Sequence, residues 1–105
     1  MLSFLKKLFG SEPIPWEELK KQKAIVLDVR TPAEFKAGHV KGAINIPLDK
    51  LPQNIKKVQR YGKPIVTCCA SGRRSEIAAK YLKQAGVTAW NGGPWTQVRN
   101  HLRTS

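Results

Sequence analysis

Four short apolar runs, set apart by helix signals, constrain this chain more than any other feature. They are Ala24-Ile25-Val26-Leu27, Ala43-Ile44-Asn45-Ile46, Pro64-Ile65-Val66-Thr67-Cys68 and Val87-Thr88-Ala89-Trp90. Each is too short for a helix, and the first reads as a strand buried on both faces. Between them lie helices with readable ends. Trp16-Glu17-Glu18-Leu19 opens after Pro15 with acids in its first turn. Thr31 is an N-cap, Pro32 suits the first helical position, and Glu34 completes a capping box before Gly38 stops the helix. Leu48, Leu51, Ile55 and Val58 recur at helical spacing. A helix from about Ser75 to Ala85 puts Ile77, Ala78, Tyr81, Leu82 and Ala85 on one face, with Gly86 at its end. Asn91-Gly92-Gly93-Pro94 reads as a turn, and residues 95–102 as a closing helix. Strands alternating with helices predict an α/β fold, a small open parallel sheet with helices on both faces.

The 105 residues suit one domain, expected over residues 13–105. Residues 1–12 form a separate basic segment, in which Leu2, Leu5, Leu8 and Phe9 share a helical face and Lys6 and Lys7 lie off it. Residues 1–10 suit at most weak contact with an anionic membrane, and a frayed or locally packed terminus is the plainer alternative. No stretch approaches the roughly 20 apolar residues of a membrane span. Nineteen Lys and Arg against seven Asp and Glu give a formal net charge of +12. Such a field attracts anions without choosing among nucleic acid, membrane, acidic protein and small anionic substrate. Trp16, Trp90 and Trp95 are not interleaved with basic residues, so nothing specific supports nucleic-acid binding. Lys56, Lys57 and Arg60 read as a solvated helix face.

Chemistry concentrates after the third strand. Cys69 follows it and a helix follows Cys69, at the carboxyl end of the sheet, where open parallel sheets place their ligand sites. Ala70, Ser71 and Gly72 are small enough for successive backbone N–H groups to turn inward as an anion nest, and the helix N-terminus adds positive potential. A thiol there is favoured as thiolate, with Arg73 and Arg74 strengthening the field. The adjacent pair Cys68-Cys69 closes almost no loop, so it is no structural staple. Two cysteines with the distant His39 and His101 make no zinc pattern. An accessible thiol in so small a chain points to a reducing compartment, the cytoplasm.

The stretch Cys69-Ala70-Ser71-Gly72-Arg73-Arg74-Ser75 resembles the active-site loop of rhodanese-like domains, Cys-x-Ser-Gly-x-Arg-Ser. The segments from Leu27 to Phe35 and from Gly38 to Pro47 resemble the family's other signature, and Gly92-Gly93 also fits. The likeness runs from about Trp16 to Leu102. The chain departs from the family's usual pattern at Cys68, at Trp90-Asn91, and in lacking a tryptophan four residues after the second glycine.

The resemblance implies a double displacement by a single-domain sulfurtransferase. Cys69 takes sulfane sulfur from a small anionic donor, thiosulfate or a persulfide, and passes it to a thiol or an acceptor protein. Backbone N–H groups of residues 70–75 would hold the persulfide and Arg74 would orient donor oxyanions, with no metal or organic cofactor. Asp28, Arg30, Glu34 and His39 are expected as structural support. In that role Asp28 caps backbone N–H groups, Arg30 pairs with a carboxylate such as Glu34, and His39 satisfies backbone groups. The alternatives are a non-catalytic or regulatory binding module on the same fold, and a cysteine-dependent phosphatase in which Cys68 and Arg74 form Cys-x5-Arg. Cys68 itself reads as a small buried hydrophobe, or as a partner resolving oxidised Cys69.

Overall fold

The computed structural model describes residues 13–102, so the segment expected over residues 1–12 lies outside the described residues. Helix α1 (Trp16–Lys21) leads into β1 (Ile25–Asp28), and α2 (Pro32–Ala37) follows at once. Strand β2 (Ile44–Asn45) precedes two 3-10 turns, Leu48–Lys50 and Pro52–Asn54, and then α3 (Ile55–Arg60). Strand β3 (Ile65–Cys69), α4 (Arg73–Gln84), β4 (Ala89–Pro94) and α5 (Trp95–Leu102) complete the order. The strands form one four-stranded sheet in the order β2-β1-β3-β4, with every neighbouring pair parallel. The expected α/β fold is the one observed.

Pleating divides β1 and β3 between two cores. Leu27, Ile65 and Cys69 face α3 and α4 among Leu51, Val58, Ala78, Ala79 and Leu82. Val26, Val66 and Cys68 face α1 and α5 among Leu19 and Val98, with Trp16, Trp90 and Trp95 packed against them. All of β3 is buried, which explains its near-continuous apolar sequence. Its one hydroxyl, Thr67, donates to the carbonyl of Ser75 (2.7 Å). That bond ties the first turn of α4 to the strand beneath it.

Local chemistry explains the element ends. Thr31 accepts from the Glu34 N–H (3.2 Å) while Glu34 accepts from the Thr31 N–H (3.0 Å), the predicted capping box. Gly72 takes φ of 99° immediately before α4, a left-handed conformation that favours glycine. The helical spacing from Leu48 to Val58 resolves into two 3-10 turns and a single short helix, because Pro52 cannot donate within a continuous α-helix.

The fourth strand departs from expectation. Asn91-Gly92-Gly93-Pro94 is not a turn but the second half of β4. Thr67 pairs with Asn91 and Cys69 with Pro94, so three steps on β4 oppose two on β3 at a bulge. Gly92 makes this approach possible: a Cβ there would lie 2.5 Å from Val98, 2.7 Å from Val66 and 2.8 Å from the Thr67 carbonyl oxygen.

Candidate active site

Cys69 is the last residue of β3, and its sulfur is enclosed by the turn that leads into α4. The Gly72 N–H donates to Sγ (3.0 Å), as does the Ser75 N–H (3.4 Å), and the Ser75 hydroxyl oxygen lies 3.4 Å away. Of the residues expected to line the loop, these two make hydrogen bonds to the sulfur, and the Ser71 N–H adds to the same field. The Arg73 N–H goes instead to the Ser71 hydroxyl (3.4 Å), while Ala70 and the Arg73 side chain are exposed.

This enclosure corrects the expectation of an accessible thiol, because Cys69 has no exposed surface. As a strand residue it points into the core under α4, and the loop closes over it. Burial pushes the thiol pKa up, but the Ser75 hydroxyl and the N–H groups of Ser75, Gly72 and Ser71 outweigh that effect. Cys69 therefore ionises below the ordinary thiol range.

Cys68 meets the opposite conditions. It is fully buried in the other core, opposite Asp28 in the β1–β3 register. Burial first, and then the Asp28 carboxylate, push its thiol far up. The small-hydrophobe expectation matches this place.

The four supporting residues form two ion pairs and a stack, in a different pairing from the one expected. Arg30 binds Asp28, not Glu34: Nε and Nη2 reach its carboxylate at 3.0 and 2.8 Å, and Nη2 also donates to the Gly38 carbonyl (2.6 Å). Asp28 does cap a backbone group, accepting from the Arg30 N–H (3.0 Å). The guanidinium lies 5.0 Å from the centroid of the Trp95 ring. Glu34 instead takes Arg74 in a two-pronged pair, 2.7 and 3.0 Å. That guanidinium, then the Thr31 N–H, lowers the Glu34 pKa to about 2. His39 Nδ1 lies 2.7 Å from the Phe35 carbonyl oxygen, its ring stacked on Phe35 at 3.8 Å, in keeping with a structural part.

Arg74 therefore bridges α4 and α2, leaving one side toward a cavity of about 300 Å³ lined also by Val29, Thr31, Pro47, Leu48 and Asp49. Asn91 is a site residue that the sequence marked only as part of a departure from the family pattern at Trp90-Asn91. Its Oδ1 accepts from the Ser75 hydroxyl (2.7 Å) and the Gly93 N–H (3.0 Å), and its Nδ2 donates to the Gly72 carbonyl (3.2 Å). The signal that could have found it is a polar residue beside Gly92-Gly93. Among the described residues, no group of three or more His, Cys, Asp or Glu is placed to hold a metal, and no helix is long and apolar enough to cross a membrane.

A thiol held by backbone donors where a parallel strand turns into a helix defines a cysteine-centred α/β domain. Residues 15–95 match the family model of the Rhodanese-like domain, and the chain belongs to that family. Over 92 residues it is 41% identical to Thiosulfate sulfurtransferase 16, chloroplastic, of Arabidopsis thaliana, covering 74% of this chain and 77% of that one. Over 67 residues it is 43% identical to the uncharacterized protein YqhL of Bacillus subtilis, covering 64% of this chain. That match spans 52% of YqhL, so the chain accounts for about half of this relative's length. The crystal structure of a rhodanese-related protein from Thermoplasma volcanium is similar at TM-score 0.69 and 31% identity, covering 85% of this chain and 87% of that one.

Proposed function

We propose that this chain is a sulfurtransferase that carries sulfane sulfur as a persulfide on Cys69. The observation that carries the proposal is the pair of N–H donors, Gly72 and Ser75, aimed at a sulfur whose pKa is lowered. The relative named a thiosulfate sulfurtransferase supports the same reaction class.

In the first half-reaction the Cys69 thiolate attacks the outer sulfur of thiosulfate or of a persulfide. An S–S bond forms to Sγ while the donor's own S–S bond breaks, and sulfite or a thiolate leaves with the electron pair. In the second, an acceptor thiolate attacks the outer sulfur, and the bond to Sγ breaks to return the Cys69 thiolate. Each half-reaction exchanges one sulfur nucleophile for another, so no net oxidant or reductant is consumed. The same N–H groups stabilise charge on Sγ at the start and at the end. The donor and acceptor must part residues 70–72 to reach the sulfur. Arg74, beside its cavity, is the cation we assign to donor oxyanions. A thiol working through this cycle suits a reducing compartment such as the cytoplasm.

Phosphate attack by Cys68 has no such support, since that thiol faces the other core and is held protonated. Intact-mass spectrometry tests the proposal after brief incubation with thiosulfate, and separately with glutathione persulfide. Wild type and Cys68→Ser should gain one sulfur and Cys69→Ser none. No adduct from either donor would overturn the reading in favour of a binding module.

A further inference from the structure

Asn91 bonds to Ser75 and Gly72, the two residues that hold the Cys69 sulfur, without touching the sulfur itself. The middle link is Ser75, whose oxygen lies 2.7 Å from Asn91 Oδ1 and 3.4 Å from Cys69 Sγ. A hydroxyl has one proton to donate. While Ser75 donates to Asn91 it can only accept from Cys69, and the chain then runs S–H to Oγ and O–H to Oδ1. That arrangement suits the neutral thiol. A thiolate has no proton to give, so Ser75 helps it only by turning its O–H away from Oδ1 toward Sγ.

We propose that Asn91 is a positioning residue that sets how readily Cys69 ionises, by competing with its sulfur for the hydroxyl proton of Ser75. The distances show why the competition is real. The contact to Oδ1 is at the usual O–H···O length, whereas the one to sulfur is longer and softer. When the hydroxyl turns away, Oδ1 keeps the Gly93 N–H at 3.0 Å, so it is not left unsatisfied. Both arrangements are therefore accessible without rebuilding β4.

The proton balance is simple. On ionisation the Cys69 proton passes to solvent, and the Ser75 O–H rotates about its Cβ–Oγ bond. No covalent bond at Ser75 or Asn91 forms or breaks. In the persulfide cycle Sγ holds most charge just before it takes up sulfur and just after it gives it away. At those two points the hydroxyl is drawn from Asn91 to the sulfur, and it returns in between.

The charged and titratable groups around the sulfur are Arg74 on α4, tied to Glu34 on α2, with the exposed Arg73 and Glu76 in the same first turn, Cys68 beside it on β3, and the Asp28–Arg30 pair at the end of β1. The 3-10 turn after β2 adds Asp49 and Lys50, and α5 adds Arg99, all exposed. Strand β4 brings none, since residues 89–94 carry no ionisable side chain. Exchanging Asn91 for a neutral residue thus alters no charge in the site, and a shift would be read from hydrogen bonding alone.

The inference rests on Cys69 being the reactive thiol, and the test reads ionisation rather than sulfur transfer. Thiolate absorbance and the rate of iodoacetamide alkylation are followed against pH, with Cys69→Ser as the blank. Asn91→Ala should lower the Cys69 pKa by about half to one unit, the scale of one hydrogen bond. Ser75→Ala should raise it, and Asn91→Ala should add no further shift once the Ser75 hydroxyl is gone. Loss of the Nδ2 bond to Gly72 would act with or without Ser75, so the double variant separates the two effects. An unchanged or raised pKa in Asn91→Ala, or an equal shift in both backgrounds, would overturn the assignment. If Asn91→Ala does not fold, Asn91→Asp replaces it. It should raise the pKa more with Ser75 present than without it, and equal rises would overturn the proposal. Cys69 that takes up sulfur but titrates independently of Asn91 sinks only this inference. Asn91-dependent titration without sulfur uptake sinks only the sulfurtransferase reading.

Discussion

Cys68 and Cys69 are neighbours in the chain but belong to opposite cores, one packed with Val66 and Val98 under α5, the other with Ala78 and Leu82 under α4. Alternation along β3 separates the two thiols, and their surroundings drive the two pKa values in opposite directions. The second cysteine is thus not available to resolve the first without unravelling the end of the strand.

Mild peroxide should accordingly add oxygen to Cys69 rather than remove two hydrogens as a Cys68–Cys69 disulfide would. Cys68→Ala should give the same oxidation products as wild type and lose about 1 kcal/mol from the small cavity it opens. Intact mass with peptide mapping and urea unfolding measure both. A disulfide-linked vicinal pair as the main product would contradict the two-core placement.

Glu34 and Arg74 yield a second prediction, this one with a pH sign. Glu34 has a pKa lowered from the ordinary carboxyl value to about 2 by the Arg74 guanidinium. A depressed carboxyl pKa contributes stability that is fully present above the unfolded-state value, near 4.5. The contribution is lost as pH falls toward 2. Glu34→Gln should flatten the pH dependence of stability in that window by removing a contribution present at neutral pH and already lost near pH 2, a modest loss because the pair is partly exposed. It should also free Arg74 for the donor and lower KM for thiosulfate several-fold. Acid unfolding curves and steady-state kinetics check the two halves; a raised KM would show that the paired guanidinium is the useful one.

Much of this was legible in the sequence where the physics is local. The capping box needs only Thr31 and Glu34, three residues apart, and it forms as read. The strand-Cys-small-residue-helix order likewise placed Cys69 at the sheet's carboxyl edge. What sequence could not supply was choice among partners. Arg30 lies four residues from Glu34 and two from Asp28, and spacing alone does not decide between the two carboxylates. The buried end of β1 selects Asp28, because that carboxylate has no exposed surface and needs its cation beside it. Asn91-Gly92-Gly93-Pro94 has turn composition, yet it continues β4, since its glycine serves close approach to Val66 and Val98 rather than reversal. The role of Asn91 stayed hidden for the same reason, its contacts being visible only once β4 lies beside the α4 turn.

Gly92 and Gly86 separate two reasons for glycine. A methyl at Gly92 collides with two valines and with a carbonyl oxygen that belongs to the central strand and cannot retreat. Gly86 has open space around it but φ of +82°, so alanine there meets backbone strain alone. Gly86→Ala should cost about 1 kcal/mol and Gly92→Ala about 3 kcal/mol, the upper end for overpacking. Only Gly92→Ala should also change the alkylation rate of Cys69, because it pushes β4 away from the loop. Urea denaturation ranks the pair, and the reverse order would refute the crowding argument.

Arg30 completes the buried side of the site, and its removal should be among the costliest single changes. Its side chain is 5% exposed and that of Asp28 is not exposed at all. Taking away the guanidinium strands a carboxylate at the end of β1 and also frees the Gly38 carbonyl that begins the next segment. Arg30→Ala should therefore cost about 3–5 kcal/mol, the range for breaking a buried pair from one side. Arg30→Met combined with Asp28→Asn removes both charges while keeping bulk, and should recover much of that loss. If the double variant is no more stable than Arg30→Ala, the penalty comes from the lost hydrogen bond to Gly38 and the lost contact with Trp95 rather than from the stranded charge. Thermal unfolding of the two variants beside wild type distinguishes these outcomes.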